Sequence, residues 1–428
     1  MQFTPDMAVS SIIFIIVYVI IVSEKIDRVV AALGGGVIMV LARLLEQKDA
    51  FGAIDYNTLG LLISMMVIVF ITQRTGVFEY ISIKMVKLAK AEPWKILVLL
   101  SVITAITSAV LDNVTTILLV LPVTLDICKE LRLKYVPFII SQIFASNIGG
   151  TATLIGDPPN IMIGMGAGLG FMDFIWNVAP VMIPILAVSI LAFLFIYRKN
   201  LHTKPEFKQK IMLMNENDAL RDKKLLVKSL AVLGLTILGF ILHGALHYES
   251  STVAVAGAVL LLLISGIKPE KVLKEVEWKT IFFFAGLFML VGGIEQAGVL
   301  EYIANGIYAL SGDNMLLLGM SILWISAIVS AFVDNIPFTA TMIPLIKDIG
   351  ALGGMSLGPL WWALSLGACL GGNGTVIGAS ANVVASGMAE EHGHKITFAA
   401  YFKVCFPLML LTVAIAAAYL LVFYLRGA

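Results

Sequence analysis

The chain has 428 residues, of which 59% are hydrophobic and 13% are charged, and its formal net charge is +1. A soluble globular protein carries roughly 25% charged residues, so this composition excludes an ordinary water-soluble fold. The near-zero net charge also gives no reason to expect a nucleic-acid partner.

Apolar segments follow one another along the chain and predict an all-α polytopic membrane protein. Each segment approaches or exceeds the ~20 residues that cross a bilayer as a helix. The segments of the first half are 8–23, 29–45, 57–74, 96–128, 135–168 and 172–197. Those of the second half are 229–243, 252–266, 280–297, 315–346, 357–388 and 397–425. The only polar and charged stretch of linker type lies between them, at 198–228.

The two halves align without a net gap. The stretch "SAVLDNVTTILLVLP" begins at Ser108, and "SAFVDNIPFTATMIP" begins at Ser330, 222 positions later. The same shift carries "GGTATLIGDPPN" at 149–160 onto "GGNGTVIGASAN" at 371–382. A register kept over this length predicts a duplicated unit, which is a common plan for secondary transporters. We therefore expect a first repeat at 1–197 and a second at 229–428.

Basic residues predict the orientation, because Lys and Arg stay on the cytoplasmic side. Both flanks of 96–128 are basic, with Lys90 and Lys95 before the segment and Lys129 and Lys134 after it. Each arm of this segment has about 16 residues, or roughly 24 Å of helix, which is shorter than a ~30 Å hydrocarbon core. We therefore predict a re-entrant hairpin that enters from the cytoplasm and turns near its centre.

Each repeat would then contain five transmembrane helices, one of them broken, plus one re-entrant hairpin. An odd number of spans inverts the second repeat relative to the first. We expect an inner-membrane protein with both termini outside and the 198–228 linker in the cytoplasm.

An aspartate and an asparagine lie at the centre of each predicted hairpin. Intramembrane carboxylates are costly and usually functional, and irregular backbone at this depth survives where it lines a polar cavity or is buried in protein. The alternative is that Asp112 and Asp334 only cap the helices that follow them. We interpret both pairs as ion- or substrate-binding residues.

Glycine-rich breaks interrupt the segments that follow the hairpins. Their backbone carbonyls and helix N-termini suit ion binding. The halves differ here, since Asp157 has Ala379 opposite it. The full candidate site comprises Ser108, Asp112, Asn113, Thr153, Gly156, Asp157, Asn160, Ser330, Asp334, Asn335, Thr375, Gly378 and Asn382.

The sequence gives no indication of an enzyme or of a bound cofactor. It contains no metal-ligand cluster, phosphate-binding loop or serine–histidine–aspartate order. The expected small ion is a coupling ion, H⁺ or Na⁺.

The motifs "LDNVTTILLVLPVT" and "GGTATLIGDPPNIMIG" resemble those of the arsenite-permease and NhaD-antiporter branch of the ion-transporter superfamily. The two motifs resemble those of the P protein group most, and the sodium–dicarboxylate carriers are more distant relatives. This resemblance implies inverted repeats, a homodimer in the lipid bilayer and elevator-like alternating access. It also implies an ATPase subunit as a partner if arsenite is the substrate.

In the dicarboxylate carriers the hairpin tips read Ser-Asn-Thr and hold sodium and the substrate carboxylates. Carried over by position, the candidate sodium ligands are Ser108, Asp112, Asn113 and Gly156 in one half and Ser330, Asp334, Asn335 and Gly378 in the other. Here each tip begins with Asp, and Val114 and Ile336 replace the hydroxyl-bearing residue. We therefore do not expect a dicarboxylate substrate.

The predicted function is ion-coupled efflux of arsenite or antimonite, or of another small inorganic solute such as an anion. The alternative is sodium–proton, or more generally cation–proton, antiport with the two aspartates as carriers. An anion channel would need a continuous pore, whereas two hairpins that meet at one site are typical of alternating access.

Overall fold

The computed structural model describes residues 3–23, 25–213 and 215–426, and all regular elements among them are helical. The first half contains α1 (Pro5–Ser23), α2 (Arg28–Leu41), α3 (Gln47–Gly52), α4 (Tyr56–Gln73), α5 (Val77–Leu88), α6 (Pro93–Val110), α7 (Asn113–Glu130), α8 (Val136–Thr151), α9 (Pro158–Ala167), α10 (Phe171–Asn177) and α11 (Ala179–Tyr197).

A short α12 (Pro205–Met212) lies between the halves. The second half contains α13 (Lys223–Leu246), α14 (Ser250–Ser265), α15 (Pro269–Leu273), α16 (Trp278–Gln296), α17 (Val299–Ser311), α18 (Met315–Phe332), α19 (Asn335–Gly353), α20 (Gly358–Gly371), α21 (Ser380–Glu391) and α22 (Phe398–Leu420).

Helix bounds in the second half follow those of the first at the spacing seen in the sequence. Helix α18 begins and ends 222 positions after α6, and α7 and α19 begin at Asn113 and Asn335 with the same separation. Packing has the same symmetry, because α2 packs on α16 while their counterparts α14 and α4 pack on each other. The inverted orientation of the two halves stays a prediction.

Eight helices of the described chain are long and apolar enough to cross a membrane, which makes the chain a polytopic membrane protein. They are α1, α4, α6, α11, α13, α16, α18 and α22. The most apolar windows of α1 and α13 are only 22% and 28% buried inside the protein, as expected for helices whose outer faces contact lipid.

The predicted hairpins correspond to the pairs α6–α7 and α18–α19. Only two residues separate each pair, Leu111 and Asp112 in the first and Val333 and Asp334 in the second, and the two helices of each pair contact each other. Helices α6, α7 and α18 each have 18 residues, slightly more than the arms predicted from the sequence. The side of the membrane from which each hairpin enters stays a prediction.

Helices α8 and α20 lie at the centre of the fold. They contact each other, and all residues from Pro137 to Thr151 in α8 and from Leu360 to Gly371 in α20 are buried. Each ends at a glycine-rich break, after which α9 and α21 begin at Pro158 and Ser380. The linker is partly helical, and the first helix of the second half already begins within it, at Lys223.

Candidate functional site

A cavity of about 750 Å³ lies where the two hairpin tips meet the helices of both halves. Its lining combines apolar side chains with a dense set of charges. The acidic residues that line it are Asp27, Asp112, Asp157, Glu277 and Asp334, and the basic residues are Arg28 and Lys279. The asparagines of both tips, Asn113 and Asn335, line it as well.

The first hairpin tip places Asp112 at the N-cap of α7. Its Oδ1 accepts a hydrogen bond from the Thr115 backbone N–H at 2.8 Å, and its Oδ2 accepts one from the Thr115 hydroxyl. The capping interpretation is therefore correct in part, because this carboxylate does satisfy a free N–H of the helix. The same side chain lines the cavity, so it is also available to a solute.

The second tip carries an ion pair that the first does not. Asp334 caps α19 through the Ile336 N–H at 3.1 Å. Its Oδ2 also accepts hydrogen bonds from Arg28 Nη1 at 3.3 Å and from Ser380 Oγ at 2.9 Å. Since Arg28 is the first residue of α2 and Ser380 the first of α21, this carboxylate joins three helices.

Asp157 lies at the break before α9. It is fully buried from solvent and forms part of the cavity wall. Its carboxylate faces an amide of the opposite half, since the amide nitrogen of Asn335 lies 3.4 and 3.5 Å from its two oxygens. Ala379 precedes α21 at the equivalent place. The difference between Asp157 and Ala379 noted in the sequence therefore gives the cavity a carboxylate from the first half that has no equivalent in the second half.

Eight of the predicted site residues lie behind the cavity wall and do not line it. They are Ser108, Thr153, Gly156, Asn160, Ser330, Thr375, Gly378 and Asn382. Ser108 and Ser330 fasten the hairpins to the central helices, because each donates from its hydroxyl at 2.6 Å to a backbone carbonyl, that of Ser146 in α8 and that of Ala368 in α20.

The two threonines and the two asparagines of the breaks hold the irregular backbone. Thr153 and Thr375 donate to the carbonyls of Ala109 and Ala331, which ties each break to its hairpin. Asn160 donates to the carbonyls of Thr151 and Thr153, both at 2.9 Å, and Asn382 donates to those of Gly372 at 2.7 Å and Thr375 at 2.9 Å. Buried backbone groups outside helices need such partners.

Close packing explains the glycines at 156 and 378. A Cβ at Gly156 would lie 2.5 Å from the carbonyl oxygen of Ser108, and one at Gly378 would lie 2.6 Å from that of Gly372. The carbonyl oxygen of Gly156 itself points at Gly150, since a Cβ there would meet it at 2.4 Å. The structure therefore assigns these glycines to helix packing behind the tips.

An asparagine network that the sequence analysis missed joins the two halves behind the cavity. Asn147 of α8 accepts from Asn113 at 3.1 Å and donates to Asn373 at 3.0 Å and to Asn382 at 2.9 Å. Its equivalent position in α20 is Cys369, whose thiol lies 3.6 Å from the Asn160 amide oxygen. The signal available in the sequence was an asparagine inside the apolar segment 135–168.

Arg28, Ser380 and Glu277 were also missed. The arginine stands at the edge of an apolar segment, where a basic residue ordinarily reaches the interface. Its counterpart in the other half is Ser250, so the loss of symmetry at this position was the signal. Asp27 lies next to Arg28 in the cavity lining. A hydrogen bond from the Val29 N–H, then a hydrogen bond from Lys279 and the positive charges of Lys279 and Arg28, hold the pKa of Asp27 below its usual range.

The acids of the cavity are spread around its wall. Within the described residues, no group of three or more His, Cys, Asp and Glu side chains is close enough to hold one metal ion. Each carboxylate would therefore bind a cation together with backbone, amide or water oxygens.

Comparisons with known proteins agree with this architecture. The family model described as "Citrate transporter" matches residues 18–367. An uncharacterized transporter of Mycobacterium tuberculosis is 41% identical over 95% of this chain and 96% of its own length. The 46 kDa membrane protein of Mycobacterium leprae is 40% identical over 96% of this chain and 98% of its own.

More distant relatives also match most of this chain. The P protein of Sus scrofa is 33% identical over 97% of this chain, which corresponds to 59% of the P protein. The crystal structure of the YdaH transporter of Alcanivorax borkumensis shares the fold, with a TM-score of 0.57 and 13% identity over 88% of this chain and 87% of that one.

Proposed function

We propose, from the premise that the chain belongs to the citrate transporter family and is a secondary transporter, that it exchanges protons for a small cation. One observation carries this proposal: three carboxylates of the cavity form no salt bridge with a described basic side chain. They are Asp112, Asp157 and Glu277.

The charges of the cavity support a positively charged solute. Arg28 pairs with Asp334 at 3.3 Å, and Lys279 pairs with Asp27 at 3.4 Å. Both bases are thereby matched, and the remaining acids make the cavity negative when ionised. A carboxylate removed from water needs a proton or a bound cation beside it. Alternate occupancy by a proton and by a metal cation is the elementary step of cation–proton antiport.

The same charges disfavour anions. Two like charges about 4 Å apart repel by about 4 kcal/mol at the effective dielectric constant of ~20 that suits such sites. Citrate gives the family its name, but free citrate or succinate would bring further negative charge to Asp112 and Asp157. The alternative from the sequence analysis, antiport, is therefore favoured over efflux of an inorganic anion.

Arsenite or antimonite efflux is the second candidate. A neutral trivalent hydroxide brings O–H donors without negative charge, and the carboxylate and amide oxygens of Asp112, Asn113 and Asn335 offer acceptors to it. The specific observation in its favour is the buried thiol of Cys369 behind the wall of the site, since sulfur ligands suit soft solutes. An ATPase partner belongs to this candidate only.

Alternating access would move the hairpins relative to the helices that carry the cavity mouth. Under the predicted topology, the mouth segments 25–28 and 276–280 both lie on the cytoplasmic side, so the cavity faces inward. We expect α6–α9 and α18–α21 to move as a body in an inner-membrane homodimer, as the resemblance implies.

A flux screen in proteoliposomes tests the proposal. Purified protein is reconstituted, and sodium, arsenite, chloride, succinate and citrate are offered separately across an imposed pH gradient. We expect saturable sodium–proton exchange that stops in Asp112→Asn. Saturable pH-driven movement of citrate or chloride without any cation exchange would contradict the proposal.

A further inference from the structure

The two hairpin tips share the Asp-Asn pair but have unequal surroundings. Asp112 and Asp334 occupy equivalent positions, and each caps the helix that follows it. Beyond its cap, Asp334 has both a guanidinium and a hydroxyl as partners. Among the described residues, Asp112 accepts hydrogen bonds from the backbone and side chain of Thr115, which belongs to the turn that it caps, and forms no salt bridge.

The difference is encoded at two further positions. The counterpart of Arg28 in the other half is Ser250, which has no charge, and the counterpart of Ser380 is Pro158, which has no hydroxyl. Two identical halves would give Asp112 an arginine and a serine as partners. The sequence has neither residue at the equivalent positions. The first half instead adds a second acid, Asp157, where the other half has alanine.

Arg28 is held in place by the helices of the cavity mouth. It begins α2 directly after the N-cap Asp27, and its guanidinium carbon lies 5.3 Å from the centre of the Phe283 ring of α16. Nη1 also donates to Ser380 Oγ at 2.9 Å, so Arg28, Ser380 and Asp334 form a closed triangle. The guanidinium therefore faces the Phe283 ring on one side, while its Nη1 is shared between two acceptors of the half-site on the other.

We propose that Arg28 fills the half-site of the second repeat as a cation supplied by the protein, so that the coupling cation binds only at the half-site of Asp112 and Asp157. The transporter then uses one of its two symmetric aspartates for coupling and the other for this internal pair. The identity of the coupling ion rests on the proposed function, but the inequality of the two aspartates does not.

Carbodiimide labelling tests the inequality without any transported solute. The O–H of a protonated, unpaired carboxyl adds across a C=N bond of dicyclohexylcarbodiimide, and the adduct rearranges to a stable N-acylurea with no leaving group. Purified protein in detergent is labelled, and peptides that contain Asp112 and Asp334 are quantified by mass spectrometry. We expect label on Asp112 and little on Asp334 in the wild type.

Replacing the arginine should release its partner. In Arg28→Gln we expect Asp334 to become labelled to an extent comparable with Asp112, while Arg28→Lys and the control Arg198→Gln, which lies outside the cavity, keep the wild-type pattern. Strong label on Asp334 in the wild type, or none in a folded Arg28→Gln protein, would overturn the proposal. Protection of Asp112 by sodium chloride tests the proposed function separately, because its absence leaves the labelling difference intact.

A double-mutant cycle on flux provides the second test. Asp334→Asn alone leaves an unpaired guanidinium in the cavity, so we expect exchange to fall at least several-fold. Arg28→Gln/Asp334→Asn removes the pair together and should recover most of the wild-type rate. If Asp334 carried the coupling ion itself, the double variant would be as inactive as the single one, and the proposal would be wrong.

Discussion

Gly156→Ala is the sharpest structural prediction, because the new methyl group would meet backbone on two sides. The added Cβ would lie 2.5 Å from the carbonyl oxygen of Ser108 and 2.7 Å from both Cα and the carbonyl oxygen of Gly150. Backbone cannot turn aside as a flexible side chain can. We expect destabilisation near the upper end of the about 1–3 kcal/mol that overpacking costs, and a displaced tip around Asp112.

The matched control is Gly34→Ala in α2, where an added Cβ meets no atom within 4 Å. Alanine is favoured over glycine in a helix interior by about 1 kcal/mol, so this variant should be neutral or stabilised. The assay is thermal unfolding of both purified variants together with their flux per folded protein. If Gly156→Ala melted as high as Gly34→Ala and retained wild-type flux, the close packing described here would not exist in the working protein.

Further predictions concern the tip, the topology and the substrate. Asp112→Asn keeps a good cap, since Asn and Asp rank alike at this position, so the variant should fold and lose exchange, whereas Asp126→Asn on the exposed face of α7 should retain it in the same vesicles. Single cysteines at Lys90 and Lys134, in a cysteine-free background, should react with an impermeant thiol reagent from the cytoplasmic face; labelling from opposite faces would make the first hairpin a plain span. Succinate and citrate should give no sodium-driven uptake above empty vesicles, and micromolar-affinity uptake would show that the acidic lining does not exclude them.

Hydrophobic segments predicted the helical fold because lipid imposes length and polarity along the sequence itself. The 222-residue spacing located the hairpin tips and the breaks, because a duplicated unit repeats its irregular positions together with its helices. Asp112 and Asp157, both predicted site residues, line the cavity, and their roles in ion or substrate binding stay predictions.

The remaining features depend on contacts that local patterns do not encode. Arg28 reaches Asp334 across more than 300 positions of sequence, and Asn147 meets Asn373 and Asn382 because the break after α20 and the start of α21 both pack on α8. A serine hydroxyl can serve as an ion ligand, and Ser108 was predicted as one for that reason. In the structure its hydroxyl donates to the backbone carbonyl of Ser146 and so anchors the hairpin to α8. The residue types placed these positions in the candidate site, and the fold shows which contacts each side chain makes.

Counterflow of sodium and protons tests the account most directly. Vesicles loaded with sodium gluconate and a pH-sensitive dye are diluted into choline gluconate with the membrane potential clamped at zero. We predict rapid internal acidification with the wild type, a loss of this signal in Asp112→Asn and an unchanged signal when gluconate is replaced by chloride. An absence of acidification with sodium and with every other small cation, in vesicles that move arsenite, chloride or citrate under a pH gradient, would contradict it.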